Sequence, residues 1–176
     1  KKSVRSLLVV PFKSVAPRLG GASLSPADLA ALVIGDADWH RLTFVNGRFE
    51  PGLSAFRALP EEVRVETLSE ALKESPEFVA EHLGKLAGFQ TSTFTALNTA
   101  LAQDGVVIHV PRGVVVDEPI HIVHVADPLA SGAAIHPRLL VVVDALAQLT
   151  IVETWASVGS FGAGYFTNAV AEIEVG

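Results

Sequence analysis

With 176 residues, 49% of them hydrophobic, the chain can bury a core as one domain, or as one domain with a small appendage. A net charge of −6, with no basic cluster beyond Lys1, Lys2 and Arg5, argues against a nucleic-acid surface, and the lack of cysteine excludes disulfides and thiolate metal sites within these residues. No apolar run reaches the roughly 18 residues of a membrane span, because Asp144 and Gln148 interrupt the longest candidate, Leu139–Val152. The apolar excess is therefore assigned to a core or a subunit interface, with no membrane insertion. There is no signal-peptide pattern. The absence of methionine, the abrupt start at Lys1 and the stop at Gly176 directly after a strand pattern lead us to expect a piece of a longer protein.

Residues 1–60 read as a small mixed region. Val4–Val10 is an apolar run closed by Pro11. Ser25-Pro26 supplies a cap followed by proline in the first turn, which predicts a helix through Leu32 ending near Gly35. Leu42–Val45 and Arg48-Phe49 flank Asn46-Gly47, the dipeptide that accepts the positive φ angles of a type I′ turn, so a hairpin is expected there. Residues 61–102 read as helical. Thr67 and Glu70 have the spacing of a capping box, in which each side chain satisfies a free backbone N–H. Ser75-Pro76-Glu77 starts a second helix, with Phe78, Val79, Leu83 and Leu86 on its apolar side and an end near Gly88. Thr91 or Ser92 opens a third helix with a stripe of Phe94, Leu97 and Leu101, which Asp104-Gly105 ends.

From Gln103 onward short β-branched strands follow one another without an intervening helix: Val106–Val110, Val114–Val116, Ile120–Val125, Leu139–Val143, Leu149–Thr154 and Asn168–Val175. Leu139–Val143 is apolar on both faces. That pattern suits stacked parallel strands whose inner face fills a core and whose outer face meets another layer or another protein. The spacing is irregular and shows no clean repeat.

No chemistry-bearing motif stands out. His109, His121, His124 and His136 are close in sequence, but strand parity sends His121 and His124 to opposite faces, His109 outward, and His136 into a turn before Pro137. Satisfied or interfacial histidines are the simpler reading, since metal ligands need convergent geometry. Ser160-Phe161-Gly162-Ala163-Gly164 lacks the spacing of a phosphate loop and is read as a turn. Glu172 and Glu174 share a strand face opposite Ala169, Ala171, Ile173 and Val175, and are assigned to the solvent or partner side. Glu153 shares a face with Leu149 and Ile151, where a carboxylate needs a partner. There is no G-x-S-x-G and no context for a nucleophile. No residue is assigned a catalytic or cofactor-binding role, and the metal ligands, if any, stay unknown.

Several phrases in order resemble one family: Leu42–Phe49, Phe94-Thr95-Ala96-Leu97-Asn98-Thr99-Ala100, Asp104-Gly105, Val110-Pro111-Arg112-Gly113-Val114, Glu118-Pro119-Ile120-His121, His136-Pro137-Arg138 and Tyr165-Phe166-Thr167-Asn168-Ala169-Val170. They are similar to the SufB/SufD family of the SUF iron–sulfur cluster assembly system. Leu-Asn-Thr-Ala and His-Pro-Arg favour its SufD branch over SufB. The resemblance runs from about Leu42 to Gly176 and is strongest from Phe94 onward.

It implies a mainly β fold: an N-terminal mixed α/β region over residues 1–102, then the first turns of a right-handed parallel β-helix over residues 103–176. It also implies a cytoplasmic, non-catalytic scaffold that pairs with a SufB-like paralogue through the β-helix. A SufC-like ABC-type ATPase would bind a C-terminal region beyond Gly176. A nascent iron–sulfur cluster would sit on the whole complex, with ligands beyond Gly176 and no cofactor within these residues. Three alternatives stand beside it: a carbohydrate-active or acyl-transfer enzyme on a β-helix, a stand-alone histidine metal module, and the SufB paralogue itself.

Overall fold

The computed structural model describes residues 13–14, for the backbone alone, 24–36, 39–90 and 92–176. The expected Val4–Val10 run and the alternative helix start at Thr91 lie outside the described residues. In chain order the elements are β1 (Lys13–Ser14), α1 (Pro26–Ala30), β2 (His40–Val45), β3 (Arg48–Phe49), β4 (Arg64–Thr67), α2 (Leu68–Glu74), α3 (Pro76–His82) and α4 (Thr93–Leu101). The second half carries β5 (Gly105–Val110), β6 (Ile120–Ala126), β7 (Ala133–Ile135), β8 (Arg138–Val143), β9 (Ile151–Ser157), β10 (Phe166–Thr167) and β11 (Val170–Val175).

Local chemistry sets the ends of the early elements. Ser25 caps α1 and shares a capping box with Asp28. Asn46 and Gly47 adopt φ of 52° and 78°, the left-handed pair that a type I′ turn requires, and β2 pairs with β3 across them. Thr67 accepts from the Glu70 N–H at 3.2 Å while Glu70 accepts from the Thr67 N–H at 3.0 Å, which completes the expected box at the start of α2. The next helix stops at His82, earlier than the expected Gly88, because Gly84 with φ of 79° already turns the chain.

The strands form three sheets, ordered β1-β7-β10, β11-β8-β5-β4 and β3-β2-β6-β9. Among its own strands the valine-rich half pairs in parallel throughout. Gly105 pairs with Arg138 and Arg138 with Val170; Ile120 pairs with Ile151; Ala134 pairs with Phe166. The chain thus visits the three sheets in one order, through β5, β6 and β7, then β8, β9 and β10, and returns to β11. Each strand lies on the one from the previous pass. The only antiparallel pairs among the named strands are β2 with β3 and β4 with β5. A sequence repeat is invisible because the inner positions ask only for a branched aliphatic or a small residue: Val106 lies beside Leu139 and Leu139 beside Ala171, while Ile108 lies beside Val141 and Val141 beside Ile173.

The apolar pattern on both strand faces has the expected cause. Leu42, Phe44, Val106, Ile108, Ile120, Ile122, Leu139 and Val141 pack into one cluster between the sheets. On the outside of β5 and β8, Val107, Leu140 and Val142 pack against Leu68 and Ala71 of α2 and Val79 of α3. On the outside of β6, Val123 and Val125 pack against Leu24, Leu29, Val45 and Leu53. Every residue of β8 is buried as a result.

Three expectations need correction. Val114–Val116 is not a strand; Val115 makes a single bridge to Gln148, because the segment turns a corner between sheets. The stripe Phe94, Leu97 and Leu101 of α4 does not face the core: these residues are 39%, 38% and 41% exposed, and the buried side chain of this helix is Asn98. Glu172, assigned to the solvent or partner side, is 1% exposed.

Candidate functional site

Three of the phrases that carry the family resemblance, Phe94–Ala100, His136–Arg138 and Tyr165–Val170, meet in one buried polar seam where α4 meets the corner between β7 and β8. Ser92 caps α4 by accepting from the Thr95 N–H, and this fixes the helix so that Asn98 faces inward. Asn98 Nδ2 donates to the Pro137 carbonyl at 2.9 Å and to the Asn168 carbonyl at 2.8 Å, tying two successive passes of the chain together. Its Oδ1 accepts from Arg138 at 3.2 Å. Asn168 Nδ2 donates to the Phe94 carbonyl at 2.8 Å and faces His136 Nδ1 at 3.3 Å.

Arg138 and Glu172 complete the seam as a buried ion pair in direct hydrogen-bond contact. Glu172 also accepts the backbone N–H groups of Gly84, Leu86 and Ala87 at 2.8, 2.9 and 2.9 Å. Burial alone would push this carboxyl up, but the N–H donors of Ala87 and Gly84, the Arg138 guanidinium and the Leu86 N–H outweigh it and hold the group below the ordinary range. One carboxylate therefore pins the turn after α3 onto the outer face of β11.

The histidines divide as strand parity demands. His121 points outward, where Nε2 meets Thr154 Oγ1 at 2.8 Å and the ring stands edge-on to Trp39 at 5.9 Å. His124 points inward, stacked between Phe44 and Trp155 at centroid distances of 5.4 and 3.9 Å. Glu153 Oε1 lies 3.5 Å from its Nε2, which supplies the partner that the carboxylate needed. His109 is outward, against Phe78 and 3.2 Å from Asp144. On the same face His82 meets Glu174 at 2.9 Å. Burial depresses the basicity of His40, His121 and His136; for His40 the Arg57 charge acts in the same direction and the Glu118 charge against it. Among the described residues no three His, Asp or Glu side chains converge as a metal site. Ser160–Gly164 is a turn, tied down by Ser131 Oγ to the Ala163 N–H and carbonyl, and no helix follows it.

Two openings border the inner face beside His124. One, of about 510 Å³, is lined by His124, Ile135, Trp155, Tyr165 and Thr167 among others. Another, of about 280 Å³, is lined by His124, Leu139, Glu153, Trp155 and Ala171 among others. Sequence reasoning missed the ion pair because Arg138 and Glu172 stand 34 positions apart and meet only through the strand register. A detectable signal was present: an arginine heading the five-residue apolar run Leu139–Val143 needs a counter-charge when that strand is covered on both faces.

These features define a mixed α/β protein of parallel-stranded sheets, with helices sealed to the sheet corners by a buried polar seam. The family model described as the SufBD protein N-terminal region matches residues 29–122. An iron–sulfur cluster assembly SufBD family protein of Synechocystis sp. is 32% identical over 165 residues, covering 89% of this chain and 36% of the relative. The chain belongs to the SufB/SufD family of iron–sulfur cluster assembly proteins. It spans about a third of the length of the curated relative it matches.

Proposed function

We propose that this chain is part of a non-catalytic, cytoplasmic scaffold subunit of the SufD branch, acting in a SufBCD-type assembly complex. The observation that carries the reading is the fate of the family phrases. Asn98, His136, Pro137, Arg138 and Asn168 are spent on holding helices to strands through hydrogen bonds made within the protein, with Arg138 Nε the one buried donor among them left without a partner. That is the economy of a part that keeps its shape and lends its surfaces. Residues 103–176 would begin a right-handed parallel β-helix, with residues 1–102 as a mixed region docked on it and β2 extending one sheet. The repeated order of visits to three sheets supports a coil, and parallel crossovers are right-handed as a class. No helix among the described residues is long and apolar enough to cross a membrane.

In this reading the scaffold pairs with a SufB-like paralogue through the β-helix, while a SufC-like ATPase docks on a region beyond Gly176. The cluster is cargo held by the assembled complex. The test is deletion of the full-length protein in its host. Loss of a complex containing the SufB-like and SufC-like subunits, with reduced cluster loading, is expected. Unchanged co-purification of those two subunits, with unchanged cluster loading and ATPase turnover, would overturn the proposal.

A further inference from the structure

The turn between β2 and β3 carries the only Asn-Gly dipeptide in the sequence, Asn46-Gly47. The fold asks for both residues. Their φ angles of 52° and 78° lie in the left-handed region, and a Cβ on Gly47 would stand 2.5 Å from Ile135 Cγ2. Asn46, 5% exposed, reaches across to Asp127, a fully buried residue just past the end of β6. Its Nδ2 donates to Asp127 Oδ1 at 2.6 Å, and its Oδ1 accepts from the Asp127 N–H at 2.9 Å. The Asn46 N–H donates to the Val125 carbonyl at 2.9 Å, and Asp127 Oδ1 also accepts from the Leu129 N–H at 2.9 Å. This reciprocal pair locks the end of β2 to the end of β6.

Asparagine is chemically labile, and a following glycine leaves the next backbone nitrogen unhindered. The Gly47 nitrogen, giving up its proton to solvent base, can attack Asn46 Cγ. The bond to Nδ2 then breaks, ammonia leaves, and water opens the succinimide to aspartate or isoaspartate. In the folded chain both ends of the Asn46 amide are held on Asp127, and burial keeps solvent base away. We propose that Asn46 is a self-modification site gated by the fold: it deamidates from states in which the hairpin has left Asp127, and the product bars return. Aspartate at this position sets a carboxylate oxygen where Nδ2 stood, 2.6 Å from a second carboxylate oxygen, and two buried carboxylates that close cannot both stay charged. Isoaspartate lengthens the backbone of a two-residue turn that fixes strand register. An opening that outlasts the chemistry is thus recorded permanently, and the altered chain leaves the folded pool. The site stands apart from the polar seam and does not depend on the scaffold role.

Peptide mapping by mass spectrometry follows Asn46 in the full chain, held in mildly alkaline buffer either folded or unfolded by urea. The unfolded chain is expected to convert, and the folded one at least about a hundredfold more slowly, because conversion tracks the population of the open form. Asn98 and Asn168, followed by Thr99 and Ala169, are the controls in the same digest. Asn46→Asp reproduces one product. At neutral pH its urea midpoint is expected to fall well below wild type, or folding to be lost. Adding Asp127→Asn puts one donor back between the two side chains, keeps an acceptor for the Leu129 N–H, and is expected to recover most of the loss. Conversion of the folded chain within about tenfold of the unfolded rate overturns the proposal. So does a lack of conversion in urea, an Asn46→Asp chain as stable as wild type, or a double variant no more stable than Asn46→Asp alone.

Discussion

Replacing Glu172 with glutamine keeps the volume of the side chain and removes its charge. The carboxylate now satisfies a buried arginine and three backbone N–H groups at once. Glutamine offers one acceptor oxygen, and its amide nitrogen must then face either the guanidinium or an N–H, donor against donor. Arg138, with its side chain 3% exposed, keeps its charge with no counter-ion. Removing one partner of a buried pair costs about 3–5 kcal/mol, a large share of the roughly 5–15 kcal/mol that holds a protein folded. At roughly 2–4 °C per kcal/mol for a chain of this size, the midpoint of thermal unfolding should fall by about 6–20 °C. Hydrogen exchange should accelerate at the amides of Gly84, Leu86 and Ala87, and Glu172→Gln combined with Arg138→Met should recover more than about 1 kcal/mol, since no lone charge is then left inside. A Glu172→Gln protein within about 1 kcal/mol of wild type by urea denaturation would refute the reasoning.

Further outcomes follow from the same packing. A Cβ on Gly105 would lie 1.9 Å from the Arg138 carbonyl oxygen, a backbone atom of the next pass, so Gly105→Ala should abolish soluble folded protein; Gly164→Ala, which meets nothing within 4 Å, should change stability by less than about 0.5 kcal/mol in the same denaturation assay. His40, His121 and His136 have basicities depressed in the folded state, so their contribution to stability is whole above the ordinary imidazole pKa near 6.5 and is lost as pH falls below it. Each group can add a slope of up to about 1.4 kcal/mol per pH unit, and a thermal midpoint that stays flat between pH 7.5 and 5.5 would contradict the burial argument. The Glu172 contribution runs in the same direction but at lower pH: it is present above the ordinary carboxyl range and lost on acidification through it, and Glu172→Gln should flatten that limb. Thr67→Ala removes the acceptor for the Glu70 N–H and should cost about 1 kcal/mol, read as a shift in urea midpoint with unchanged slope.

How far the residues announced this arrangement depended on the range of the forces involved. The Asn46-Gly47 turn and the Thr67–Glu70 box are local, and both appeared where the dipeptide and the spacing placed them. Strand parity, also local, separated His121 from His124 and put Glu153 on the inner side. The run Leu139–Val143 disclosed its two covered faces because nothing polar interrupts it. What lay hidden needed knowledge of the neighbour. Ala133–Ile135 and Phe166–Thr167 are too short and too ordinary to declare themselves as strands, and exist because each has the other beside it. The α4 helix reversed its expected orientation since the carbonyls of Pro137 and Asn168, distant in the chain, reward Asn98 more than burial of Phe94, Leu97 and Leu101 would. Glu172 was misplaced for the same reason: no periodicity reveals an arginine on the adjacent strand.

The pairing of each strand with its counterpart from the previous pass has a consequence for reach. Neighbouring strands sit about 4.8 Å apart, so a whole circuit of sheets, such as Gly105 to Arg138, advances the structure by little more than one peptide spacing. The same stretch wound as a helix would span roughly 50 Å. In the proposed β-helix, polypeptide laid down in this way gains girth in place of distance, and any site on it would move along the axis only in coarse steps, one circuit at a time.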